Sequence, residues 1–107
     1  MPTLHIEHAI TSYSEWKDAF DGFAEFRARS GVRRSSVGRP VDDAHYVVID
    51  LDFDTTEQAQ GFLETLREKV WSSPQNAPAL VGTPQTRILE TVVATGSEIG
   101  AQPQTRA

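Results

Sequence analysis

The residues from His45 to Phe53, HYVVIDLDF, carry two interleaved apolar lines. Val47, Ile49, Leu51 and Phe53 fall on one side of a period-two pattern, Tyr46 and Val48 on the other. Successive strand side chains point to opposite faces, so this pattern predicts a strand buried on both faces of its sheet. Thr3 to Ile10 alternates more simply. Leu4, Ile6, His8 and Ile10 share one side, and His5 and Glu7 share the other. This too predicts a strand.

Between the strands the period lengthens. Ser12 precedes Glu15 by capping-box spacing, and Trp16, Ala19, Phe20, Phe23 and Ala24 follow at offsets of three and four. One helix is predicted, closed by Gly31 as a left-handed cap. The polar run Val32 to Gly38 reads as an edge strand, with Arg33 and Arg34 discouraging open pairing. Arg39 to Asp43 reads as a turn. After the two-faced strand, Asp54 or Thr55 caps a second helix with Ala59, Phe62, Leu63, Leu66 and Val70 on its stripe. From Ser72 to Pro84, three prolines and a glycine predict a loop with one short turn at Ala79–Leu80–Val81. Thr86 to Ala94 predicts the last strand. Residues 1–95 then form one domain. Residues 96–107 have few apolar positions and no period, and are expected to be a tail, flexible or lying on a partner subunit.

The order strand, helix, strand, strand, helix, strand predicts an α+β, ferredoxin-like βαββαβ fold. Two right-handed crossovers build a four-stranded antiparallel sheet with both helices on one face. The first and third strands lie centrally, the second and fourth at the edges. Two helices cover only one face. On the other, Tyr46 and Val48 would meet water unless a second copy covered them. Packing two such sheets face to face gives a homodimer with a barrel-like core and helices outside. The alternative is a single sheet whose open face is merely less polar.

Composition narrows the functions. The chain has 107 residues, a net charge of −5 and no cysteine. An acidic chain with scattered basic residues speaks against nucleic acid and anionic membranes as partners. Without cysteine there is no disulfide, thiolate nucleophile or thiolate metal site. No apolar run approaches the roughly 18 residues of a membrane helix, and the opening MPTLHIEHAI lacks the pattern of a signal peptide. A cytoplasmic location is expected.

The opening HIEHAITSYSEWKDAFDGF resembles small actinobacterial proteins of the dimeric α/β-barrel superfamily, through His8, Ile10, Tyr13, Glu15, Trp16, Phe20 and Asp21. VIDLDFDTTEQAQGFL resembles that superfamily's third strand and second helix, and the likeness runs over about residues 3 to 94. The superfamily includes cofactor-independent monooxygenases of antibiotic biosynthesis, polyketide cyclases, lactone isomerases and haem-degrading monooxygenases. In several of these the ligand lies between sheet and helices. The haem-degrading branch uses an asparagine on the first strand and a histidine on the second helix. LHIEHAI has no asparagine and TEQAQGFLETLREKV no histidine, which argues against haem.

The candidate chemistry centres on histidine. His5 and His8 point to opposite faces and cannot share a metal ion, while His5 and Glu7 supply too few ligands, so no metal site is expected. His5 and Glu7 would face the partner, touching each other, Arg33 or Arg87. His8 is either a hydrogen-bonded core residue or a general base lining a cavity under the first helix. Trp16, Phe20, Phe23 and Phe62 either wall that cavity or simply pack the core. Tyr46 and Asp50 share one face of the third strand. Asp50 either joins His8 as an acid/base pair or forms a dimer contact, and periodicity leaves both open. Trp71 either covers a pocket mouth or packs under the proline-rich loop. No phosphate loop, nucleophile elbow or flavin or nicotinamide fingerprint is present, and no cofactor is expected. The expected function is a cofactor-independent monooxygenase- or cyclase-type enzyme acting on a flat hydrophobic, aromatic or polyketide-like substrate by proton abstraction. The alternative is a non-catalytic ligand-binding or assembly dimer, which would have a sealed core.

Overall fold

Alternation sets the first element of the computed structural model, which describes residues 1–95. The tail expected at 96–107 lies outside the described residues. Thr3–Ile10 forms β1, burying Leu4, Ile6, His8 and Ile10 and leaving the intervening side chains half-buried. Ser12 then accepts a hydrogen bond from the Glu15 amide at 3.3 Å, satisfying one of the free donors at the start of the next helix. The Glu15 carboxylate does not close a capping box; it accepts from the Thr11 hydroxyl at 3.5 Å.

The helix expected to run unbroken to Gly31 is divided into α1 (Tyr13–Gly22) and α2 (Ala24–Arg29). The break lies at Phe23, with φ −100° and ψ 12°. Glycine inside a helix costs about 1 kcal/mol relative to alanine, so the neighbouring Gly22 makes this the weakest point. Gly31 then takes φ +96°, a left-handed conformation that leads the chain toward β2 (Arg34–Gly38). β3 is Tyr46–Asp52. Thr55 caps α3 (Thr56–Thr65) with a complete box: its hydroxyl accepts from the Gln58 amide at 3.1 Å, and the Gln58 side chain accepts from the Thr55 amide at 3.2 Å. Beyond it, Leu66–Val70 forms a wider π-helical turn, in which the Trp71 amide donates to the Leu66 carbonyl at 2.7 Å.

The last strand departs from expectation. β4 is Leu80–Leu89, not Thr86 to Ala94. Gly82 (φ +73°) and Pro84 do not end it; they sit in a bulge. An edge strand tolerates proline there because no ladder bond is lost. At its other end Leu89 pairs with Thr3, where β1 begins, so the following residues have no strand to pair with. Val92 and Val93 are accordingly 82% and 78% exposed.

The sheet order is β2-β3-β1-β4, antiparallel throughout, with β1 and β3 central. This is the α+β ferredoxin-like fold. Leu4, Ile6, Val47, Ile49, Leu51 and Phe53 pack against Trp16, Ala59, Phe62 and Leu63 on the helical side. The other face is less apolar than β3 alone implies. Register sets Asp50 between His5 and Ser36, and Arg87 beyond His5. Polar neighbours from the adjacent strands thus dilute the Tyr46–Val48 line. Among the described residues, no helix is long and apolar enough to cross a membrane.

Candidate functional site

Inward alternation on β1 carries His8 to the helical face, where it is 5% exposed. The bulge lies beside it. Between the pairs Glu7–Gln85 and Ala9–Val81, His8 stands alone against Gly82, Thr83 and Pro84. Its Nδ1 lies 2.9 Å from the Ala9 carbonyl oxygen. A carbonyl only accepts, so Nδ1 carries the proton and Nε2 keeps a free lone pair. Burial pushes the His8 pKa below its usual value, with the Ala9 hydrogen bond opposing. The ring is therefore neutral at pH 7.

A cavity of about 90 Å³, partly open to solvent, lies between the sheet and the helices. A single water needs roughly 10–15 Å³, so the space exceeds one water several-fold. His8, Trp16, Phe20, Phe23, Phe62 and Trp71 all line it. Trp16 and Phe20 stack with centroids 4.9 Å apart, and Phe26 stacks on Phe62 at 5.4 Å. The π-helical turn brings Leu66, Val70 and Trp71 to the wall together, and Ala77 to Leu80 close another side.

Two polar side chains absent from the sequence-based candidates complete the lining: Arg27 and Asn76. The Arg27 guanidinium lies 3.6 Å above the Phe20 ring, and its Nη1 donates to the Phe20 carbonyl at 2.6 Å. Burial lowers its pKa while Asp21 raises it, and an arginine keeps its charge throughout. Asn76 donates to the Lys69 carbonyl at 2.8 Å. A signal for Arg27 was present: positions 16, 20, 23 and 27 continue a single helical stripe, and the last is a cation among aromatics.

Tyr46 and Asp50 do not join this cavity. β3 alternates, and Val47, Ile49 and Leu51 take the helical side. Tyr46 and Asp50 therefore lie on the opposite face, so the His8–Asp50 pair does not form. Asp50 instead contacts His5 Nδ1 at 2.7 Å, Glu7 contacts His5 Nε2 at 2.9 Å, and the Tyr46 hydroxyl donates to Glu7 at 2.8 Å. The Glu7 and Asp50 hydrogen bonds raise the His5 pKa, and His5 holds that of Glu7 down. Arg33 pairs with Asp54 at 2.6 Å, outside this cluster. Among the described residues, no group of three or more histidine or acidic side chains is placed to hold a metal ion.

No family model and no curated protein matches the sequence. Solved structures do match its fold. A candidate antibiotic biosynthesis monooxygenase from Nitrosomonas europaea superposes with a TM-score of 0.65 at 18% identity, over 87% of this chain and 100% of that one. SnoaB, a cofactor-independent oxygenase from Streptomyces nogalater, gives 0.66 at 16% identity, over 87% and 94%. A dimeric ferredoxin-like protein from an uncultured marine organism gives 0.57 at 10% identity, over 89% and 98%. These likenesses establish a shared fold.

Proposed function

We propose that this chain is a small-molecule enzyme of the cofactor-independent monooxygenase or cyclase type, with His8 Nε2 as its general base. The observation that carries this reading is a buried histidine, its Nδ1 2.9 Å from the Ala9 carbonyl oxygen, lining an aromatic cavity. A flat substrate with an acidic C–H or O–H gives its proton to Nε2. The electron pair stays on the substrate as a conjugated oxyanion. That anion then cyclises, isomerises or meets dioxygen. In the last case one oxygen atom remains on carbon as a carbonyl, and the other leaves as water with two substrate hydrogens. The open cavity speaks against the sealed core of a pure assembly module. SnoaB, of similar fold, is itself a cofactor-independent oxygenase.

The assay follows exchange of the acidic hydrogen of a planar polycyclic ketone in D₂O by NMR. A positioned base contributes about 10²–10⁴-fold, so His8→Ala should lose a factor of that order. Exchange at the wild-type rate in the variant would remove His8 from this role.

The same reading includes a homodimer through the helix-free sheet face. A matching fold is that of a dimeric ferredoxin-like protein. Ala9, Val48, Val81 and Leu89 would supply apolar contact around the His5 cluster. Sedimentation should report twice the 11.8 kDa chain mass at micromolar concentration. A single-chain particle would eliminate the dimer.

A further inference from the structure

We propose that Arg27 is the anion-binding residue of this cavity, and that its ligands are planar molecules bearing an ionised oxygen: phenolates, enolates or aryl carboxylates. The inference rests on the reading that the cavity takes a flat small molecule. It adds which flat molecules those are.

A guanidinium offers five N–H donors, and among the described residues that of Arg27 makes one hydrogen bond, to the Phe20 carbonyl. Among the described residues, no carboxylate lies within ion-pair distance of it; the five ion pairs present use other groups. Asp21, which acts on it through space, is already engaged by Lys17 at 2.8 and 2.9 Å. What holds Arg27 is stacking. The guanidinium lies 3.6 Å from the centre of the Phe20 ring, and that ring itself stacks on Trp16 at 4.9 Å. Stacking fixes the plane of the fork and shields one face, yet consumes few donors. A cation oriented this way, at the wall of an apolar cavity, is prepared for an acceptor from outside. It also suits the proposed chemistry. When His8 takes a proton, charge develops on a conjugated oxygen, and a half-buried guanidinium held in place by its stacking stabilises it.

Arg27 also has a structural use, because Phe20 lies near the broken end of α1 and its carbonyl, which accepts from the Phe23 amide at 3.2 Å, takes a second hydrogen bond from the guanidinium. The test separates the two roles. Binding of 2-naphthoate and of its neutral isostere 2-naphthamide is measured by quenching of Trp16 and Trp71 fluorescence, in the full-length protein and in Arg27→Met. An apolar cavity without a cation disfavours the carboxylate. The wild-type protein should prefer naphthoate. Arg27→Met should weaken naphthoate by about tenfold or more, and naphthamide by less than about twofold. Equal weakening of both ligands, or of neither, would confine Arg27 to the structural role and overturn the proposal. The preference is read first on the unaltered protein, so a wild type that favours naphthamide refutes the proposal even if the variant fails to fold. If neither ligand binds at millimolar concentration, the cavity reading itself falls and this inference with it.

Discussion

His5 and His8 lie three residues apart on β1, face opposite sides of the sheet, and shift in opposite directions. Glu7 and Asp50 make the folded state hold the His5 proton more tightly than the unfolded chain does. The stability His5 contributes is thus complete below its ordinary value of 6.5 and is lost as pH rises through the raised folded value. His8 is the reverse. Burial makes the folded state resist its proton, so its contribution is complete above 6.5 and declines as pH falls toward the lowered folded value. Each group exchanges at most one proton, which limits either slope to about 1.4 kcal/mol per pH unit. For a domain of this size, 1 kcal/mol moves Tm by about 4–8 °C. Thermal unfolding followed by circular dichroism every half unit from about pH 5 to 8.5, at fixed protein and salt concentration, should therefore peak near neutrality. This window lies above the ordinary range of carboxylates. His8→Gln should flatten the acidic limb alone, and His5→Gln the alkaline limb alone. An acidic limb that survives in His8→Gln would refute the argument that burial of this ring sets it.

Two further substitutions probe the frame around the cavity. Gly31→Ala forces a side chain onto φ +96° and sets its Cβ 2.9 Å from the Gln58 amide, which closes the α3 capping box. It should cost about 2–3 kcal/mol in urea denaturation, from backbone strain plus cap loss. Gly82→Ala, with φ +73° and nothing within 4 Å, should cost only the strain, about 1–2 kcal/mol. Equal losses would show that Gln58 moves aside without breaking its cap. Phe62→Ala removes a ring packed 5.4 Å from Phe26 and 5.6 Å from Phe53, and should cost about 3–5 kcal/mol. Because Phe62 also lines the cavity, the variant should tolerate bulkier planar ligands than wild type in the same fluorescence titration. An unchanged size preference would mean that Phe62 does not limit the cavity.

The parts of the fold legible in the sequence were those set by local rules. Alternation marked both central strands, Ser12 and the pair Asp54–Thr55 announced their helices, and Gly31 its left-handed turn. What escaped depended on partners distant in sequence. Gly82 and Pro84 look like loop residues until β1 stands beside them and the bulge absorbs both. Where β4 ends depends on where β1 begins, which TRILETVVA does not encode. Asp50 was undecidable because β3 is apolar on both lines; only the packing of Phe53 and Leu51 under the helices chooses its face. Arg27 escaped for another reason. A cation on an amphipathic helix reads as solvated, and its position on the stripe after Phe23 carries meaning only once a cavity lies beneath it.

β1 thus does two incompatible things at once, and a strand is the element that can. Its two-residue period separates adjacent side chains onto faces with different solvent and different partners. On the helical face, burial favours neutral His8 and the Ala9 carbonyl holds the proton on Nδ1, which leaves Nε2 unprotonated as the proposed base requires. On the other, two carboxylates keep His5 inclined to hold its proton. A one-residue slip in β1 would exchange these faces, placing the His5 imidazole under the aromatic rings and turning His8 away from them. The bulge at His8 lies in β4, and β1 keeps continuous register with β3 from Thr3 to Ala9. The irregularity is therefore confined to the edge strand, and the central pair that assigns each histidine to its face remains regular.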